Sequence, residues 1–312
     1  MSITFVASSK GVLLRAPRSP WTLSFWQCTI AALCSRMWLA SARGPGVQRS
    51  ISATQWRLVV AGSLTCWLGF ALANVSCAVM NASLVETIKA TTPIPQILIA
   101  SVLGEGWAPW HVQCALAVIV FGVTLASYAD SSACTSGVAA ALFMNVNFAL
   151  ADNIVKLNYK LPDSLDPSNL WYRSAQVGAL VAAPVALAEW ALLREELRND
   201  PSHQAPASLV ILSGCAFFLY NQAICELLVH VPMSVFAVLG SVRRAVTIVA
   251  LMFIFGTEVT SLNIVGLCIV ALGFAQFLAR QHTEKGSPEP YLPDLLTCFD
   301  GSSSSNVEGA AV

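Results

Sequence analysis

The chain has 312 residues, 56% of them hydrophobic and only 11% charged, with a mean hydropathy of +0.66. Soluble domains carry roughly 25% charged residues, so this composition excludes a water-soluble globule and defines an integral membrane protein embedded in a lipid bilayer. The 17 basic and 17 acidic residues cancel, which removes any global attraction to nucleic acid.

A hydrocarbon core of about 30 Å needs about 20 apolar residues per spanning helix. The first apolar run, residues 1–14 with "SITFVASSKGVLL", is too short to span and reads as the remainder of a clipped first helix. Nine longer runs follow at 21–40, 56–80, 83–103, 110–128, 136–156, 169–193, 207–229, 232–255 and 261–280. Together they predict an all-α membrane protein with ten helices in a complete parent. Most links are short, apart from 41–54, 157–168 and 194–206, so neighbouring helices should pack antiparallel. From residue 281 the chain is polar and rich in Pro, Gly and Ser, the composition of a disordered tail. With both termini on one face, that face collects Arg43, Arg49, Lys156, Lys160, Arg173, Arg280 and Lys285, against Arg15, Arg18, Arg194 and Arg198 opposite. The basic excess places both termini, and the tail over 281–312, in the cytosol.

The ten cysteines are dispersed without a Cys-x-x-Cys pair, and His111, His203, His230 and His282 stand apart. Buried apolar thiols are expected instead of disulfides. No metal site and no cofactor are expected. No nucleophile or acid/base pair at interfacial depth marks a membrane enzyme.

A shift of 152 residues lays "NASLVETIKATTPIPQILIASVLGE" from Asn81 over "MSVFAVLGSVRRAVTIVALMFIFGT" from Met233, each followed by a short turn and another apolar run. Five helices per half force the second copy to enter from the opposite face, which is an inverted repeat. The expected halves are residues 1–130 and 131–280. In this register Lys89, Arg243 and Arg244 approach one level of the membrane.

An ionised side chain at mid-bilayer costs about 2.5–3.5 kcal/mol on insertion scales, so these three cations call for a purpose. Arginine offers a planar fork suited to phosphate or carboxylate, and lysine a compact charge. Around a wet cavity they make an anion site. Thr87, Thr91 and Thr92 add hydroxyls, and Pro93 and Pro95 bend the helix beside them. Tyr220, with Asn221 and Gln222, stands in the helix before the arginines, and Asn145, Asn147, Asn153 and Lys156 either line the same cavity or sit at their helix end. The competing reading is a closed set of ion pairs, with Glu86, Asp152 and Glu226 as counter-ions. Buried pairs of that kind are often no more stable than apolar replacements, which favours a ligand site.

"VETIKATTPIPQILIASVLGE", "FFLYNQAI" and "VRRAVTIVALMFIFGTEVTSLNIVGLCIVALG" resemble the triose-phosphate and nucleotide-sugar translocators of the drug/metabolite transporter superfamily, over about 9–280. The resemblance implies ten helices in two inverted five-helix halves and exchange of phosphorylated metabolites, with no enzymatic activity. By position, the family's intramembrane lysine resembles Lys89, its Lys-Arg pair Arg243 and Arg244, and its substrate-facing tyrosine Tyr220, with Thr92 and Asn153 beside them. Three positions depart from the plastid phosphate translocators. A histidine and a threonine on their third helix become Phe70 and Ala73, and an arginine before an asparagine on their sixth becomes Asp152. Losing a cation and gaining an anion disfavours a substrate that bears both phosphate and carboxylate. The expected function is therefore antiport of a small phosphorylated anion, such as a sugar phosphate, against phosphate in a plastid or Golgi/ER membrane. A Golgi/ER nucleotide-sugar antiporter and a degenerate non-transporting scaffold stay open as alternatives.

Overall fold

The structure is a computed structural model that describes residues 1–16, 19–43, 51–105, 107, 109–127, 134–161, 164–199, 206–231, 233–256 and 261–284. These residues are helical, with no strand among them. In chain order the helices are α1 (Ser2–Arg15), α2 (Pro20–Arg43), α3 (Ala53–Val79), α4 (Ala82–Lys89), α5 (Pro93–Ala100), a π-helical turn (Ser101–Glu105), α6 (Trp110–Ser127), α7 (Thr135–Tyr159), α8 (Pro167–Asn199), α9 (Ala207–His230), α10 (Met233–Phe255) and α11 (Ser261–Glu284). Among the described residues, five helices are long and apolar enough to cross a membrane: α3, α7, α8 over Pro167–Leu193, α9 and α10.

Eight of the nine long apolar runs are continuous helices whose bounds fall within a few residues of those read from hydropathy, except at the end of α8. That helix runs on to Asn199 through "REELRN", because polar residues outside the lipid keep their helical propensity. For the same reason α11 continues to Glu284, past the expected start of the tail at 281. The remainder of the tail, and Arg18, Arg49 and Lys285, lie outside the described residues.

The run at 83–103 is not one helix. Pro93 has no N–H with which to reach the carbonyl of Lys89; that oxygen accepts instead from Thr92 N at 3.0 Å and from Thr92 Oγ1. The carbonyl of Ile88 accepts from Thr91 N at 3.1 Å and from Asn145 Nδ2, on α7, at 2.6 Å. Asn145 Nδ2 also donates to Thr91 Oγ1 at 2.9 Å, and its Oδ1 accepts from Thr92 Oγ1 at 2.9 Å. Asn145 thereby staples the break between α4 and α5, supplying the polar partners that lipid cannot.

Packing is most extensive between α3 and α7 and between α6 and α11. α3 starts with a reciprocal cap in which Gln55 N donates to Ser52 Oγ at 3.3 Å and Ser52 N donates to Gln55 Oε1 at 3.1 Å, satisfying two amides at the helix start. α10 ends at Gly256 with φ of 64°, the left-handed stop that glycine adopts without a Cβ clash. The outer surface keeps large apolar side chains such as Leu180, Leu192, Phe253 and Leu272 more than half exposed, as lipid contact requires.

Candidate substrate-binding cavity

One cavity collects the charged groups. Its wall includes Ser2, Phe5 and Val6 of α1, Cys66 and Phe70 of α3, Glu86 and Lys89 of α4, Gln96 of α5, Phe148 and Asp152 of α7, Tyr220 of α9, and Gly240, Arg243 and Arg244 of α10. The cavity volume is about 50 Å³, room for a few waters at roughly 10–15 Å³ each. The break between α4 and α5 lets Lys89 close one helix and Gln96 ride on the next, so both reach the same space.

Lys89 Nζ donates to Glu86 Oε1 at 2.9 Å and stands 5.6 Å from the Phe148 ring centroid. The guanidinium of Arg243 lies over the Tyr220 ring at 4.7 Å, and Phe5 stacks on the other partner of that contact, its ring centroid 5.6 Å from Tyr220 with planes 18° apart. The face of an aromatic ring attracts a desolvated cation. Gln96 Nε2 donates to Asp152 Oδ2 at 2.5 Å. Arg244 is 7% exposed. The buried Nη1 atoms of Arg243 and Arg244 have no hydrogen-bond partner among the described residues. A buried charged donor left unmade is costly. Three cations against two carboxylates, Glu86 and Asp152, leave the wall with one formal positive charge.

Lys89, Arg243, Arg244 and Tyr220 thus come together on one wall, with Glu86 and Asp152 as counter-charges. Three other candidates do not reach it. Thr92 is fully buried, its hydroxyl donated to the Lys89 carbonyl and to Asn145. Asn153 gives Nδ2 to the carbonyls of Gln96 at 3.1 Å and Ala149 at 2.8 Å. Glu226 is exposed, accepting from Gln222 Nε2 at 3.0 Å. Each is captured locally by a backbone carbonyl or a neighbour on its own helix. Lys156 belongs to a helix end, where Nζ donates to the carbonyls of Leu228 and Val231.

Hydropathy did not single out Gln96 or the aromatic wall. Gln96 was nevertheless visible as the lone polar residue of "PIPQILIA". Phe70 sits among Phe5, Phe148 and Phe217 with ring centroids 5.9, 4.7 and 4.6 Å away, and aromatic residues give no sequence signal that separates cavity from core.

A helical membrane protein whose internal cavity carries uncompensated cationic donors is of the carrier type. The profile of the Triose-phosphate Transporter family matches residues 1–277, and the chain belongs to that family. Similar proteins include phosphoenolpyruvate/phosphate translocator 2 of Arabidopsis thaliana, 27% identical over 89% of this chain and 73% of that protein. The xylulose 5-phosphate/phosphate translocator of the same plant is 28% identical over 70% of this chain and 53% of its own length. UDP-galactose transporter 1 is 24% identical over 70% of this chain and 65% of that protein. This chain therefore spans roughly half to three quarters of the length of these relatives. A solved crystal structure, 13% identical, superposes with a TM-score of 0.61 over 89% of this chain and 96% of that one, a likeness of fold.

Proposed function

We propose that the protein exchanges a small phosphorylated organic anion for inorganic phosphate across an organelle membrane by alternating access around Lys89, Arg243, Arg244 and Tyr220. The observation that carries this reading is the pair of buried, unpartnered Nη1 atoms on Arg243 and Arg244, two residues that line a cavity with one net positive charge. The two guanidinium groups grip the phosphate through charge-assisted hydrogen bonds. Lys89 adds charge from the other half of the chain, and Tyr220 orients Arg243.

The two expected halves, 1–130 and 131–280, support such a cycle as inverted five-helix repeats rocking about the cavity. Exchange follows from electrostatics. The empty cationic site is costly to enclose away from water, and a bound anion neutralises it, so the loaded carrier reorients faster than the empty one.

Asp152 selects among substrates. Its carboxylate, beside Gln96, repels a second acidic group and accepts hydrogen bonds from hydroxyls, which favours a sugar phosphate over a phosphorylated carboxylic acid. Both termini face the cytosol in this reading, and the chloroplastic relatives support a plastid membrane, with a Golgi/ER membrane as the alternative. Counterflow in reconstituted vesicles tests the proposal: labelled phosphate enters phosphate-loaded vesicles and fails to enter unloaded ones. Equal uptake in both removes obligate exchange.

A further inference from the structure

Two lysines outside the cavity do the same thing at two places. Lys10 of α1 donates Nζ to the carbonyls of Cys77 at 2.6 Å and Met80 at 2.9 Å, at the end of α3. Lys156 of α7 donates Nζ to the carbonyls of Leu228 at 2.8 Å and Val231 at 2.6 Å, at the end of α9. Both capped residues leave the helix in extended conformation, Met80 at φ −131° and ψ 165° and Val231 at φ −123° and ψ 147°. Val231 lies 151 positions after Met80, and Leu228 lies 151 after Cys77, one residue from the register that superposes the two halves. The last carbonyls of a helix lack partners and carry its partial negative charge, so an ammonium group there is both a hydrogen-bond donor and a counter-charge.

The capped ends are the roots of the helices that bear the cavity cations. α4, with Glu86 and Lys89, starts at Ala82, just past Met80. α10, with Arg243 and Arg244, starts at Met233, just past Val231. Counting α4 with α5 as one crossing, and α6, α7, α8 and α9 as one each, separates the two roots by five crossings. An odd number puts them on opposite faces of the membrane.

We infer that Lys10 and Lys156 are paired positioning residues that clamp the two faces, each holding its own end of the cavity shut. This rests on the alternating-access reading. Both clamps are made in this structure, so it is the closed intermediate between the two open states. Opening toward one face breaks one clamp and leaves the other. Anion binding at Lys89, Arg243 and Arg244 draws α4 and α10 together, and so sets both roots where the lysines reach them. The lysines act through helix position and do not touch substrate.

Hydrogen–deuterium exchange of the full chain in lipid nanodiscs, with no substrate added, tests this. Releasing one clamp shifts the population toward the state open on that face, which makes the other root more closed. Lys10→Met therefore raises exchange over 77–84 by roughly tenfold and lowers it over 228–236, and Lys156→Met does the reverse, at the scale of one lost charged hydrogen bond. A cap with a purely structural role loosens its own end and leaves the far end unchanged or looser; either result overturns the clamps. Lys10→Gln and Lys156→Gln keep the packing and a neutral donor, and give the same reciprocal pattern at smaller amplitude should the Met variants not fold; its absence also overturns the clamps. Because the readout needs no transport, lost counterflow with reciprocal exchange faults the substrate reading alone, and intact counterflow without reciprocity faults the clamps alone.

Discussion

Lys89 Nζ and Glu86 Oε1 meet at 2.9 Å across one helical turn, with side chains 12% and 4% exposed. This pair neutralises one of the three cavity cations, while Arg243 and Arg244 keep donors that no described residue fills. The wall is thus partly compensated, which fits the binding and release of an anion proposed above.

Glu86→Gln leaves Lys89 buried without its carboxylate. Breaking a buried pair in this way costs about 3–5 kcal/mol, and bound phosphate replaces the lost charge. The variant should melt earlier than the parent in detergent and show a larger upward shift on adding phosphate, since a ligand stabilises the state it binds. An unchanged phosphate shift would mean that Lys89 does not face the ligand.

Arg244→Ala removes a buried guanidinium and the charge-assisted hydrogen bonds it would give a bound phosphate, each worth about 1.5–3 kcal/mol. Phosphate counterflow should fall at least tenfold with protein abundance in the membrane intact. Arg244→Lys should recover only part of it, because a point charge lacks the planar fork. Normal transport by the alanine variant would sink the phosphate assignment.

Asp152→Asn keeps an acceptor for Gln96 and removes the negative charge from the wall. Competition against labelled phosphate should then shift toward phosphoenolpyruvate relative to a pentose phosphate by about tenfold, the ratio that 1.4 kcal/mol buys. Unaltered competition would place the substrate's second group away from Asp152.

Gly122→Ala and Gly240→Ala should part company. A Cβ at Gly122 meets the Gly266 carbonyl at 2.7 Å and Val270 N at 2.9 Å, backbone atoms of α11 that no rotamer can move aside. The strain of such overpacking is about 1–3 kcal/mol, so α6 and α11 separate and the melting temperature falls. A Cβ at Gly240, inside α10, meets nothing within 4 Å, and alanine is favoured over glycine in a helix interior by about 0.5–1 kcal/mol, so stability holds or rises. Equal melting of the two variants would contradict the close approach of α6 and α11.

The sequence by itself determined the class of the molecule and most of its helices. In lipid a backbone must satisfy its own hydrogen bonds, so each apolar run of about 20 residues had one available form, and its length could be read without knowing its neighbours. It also marked Lys89, Arg243 and Arg244, because a charge inside such a run is conspicuous. Tertiary structure decided what the remaining polar groups do. Asp152 and Asn153 are adjacent in sequence, yet successive side chains on a helix diverge by about 100°. One therefore reaches the cavity and Gln96, while the other is tied to the Gln96 carbonyl. Thr92 looked like a ligand donor until Pro93 left the Lys89 carbonyl without its usual partner and the threonine filled the gap. Nothing local to Lys10 or Lys156 signals what they hold, since those carbonyls lie 67 to 75 residues away. Local composition sets whether a segment is helical, but which donor meets which acceptor depends on helix rotation and on partners distant in the chain, and only the packed structure brings those into register.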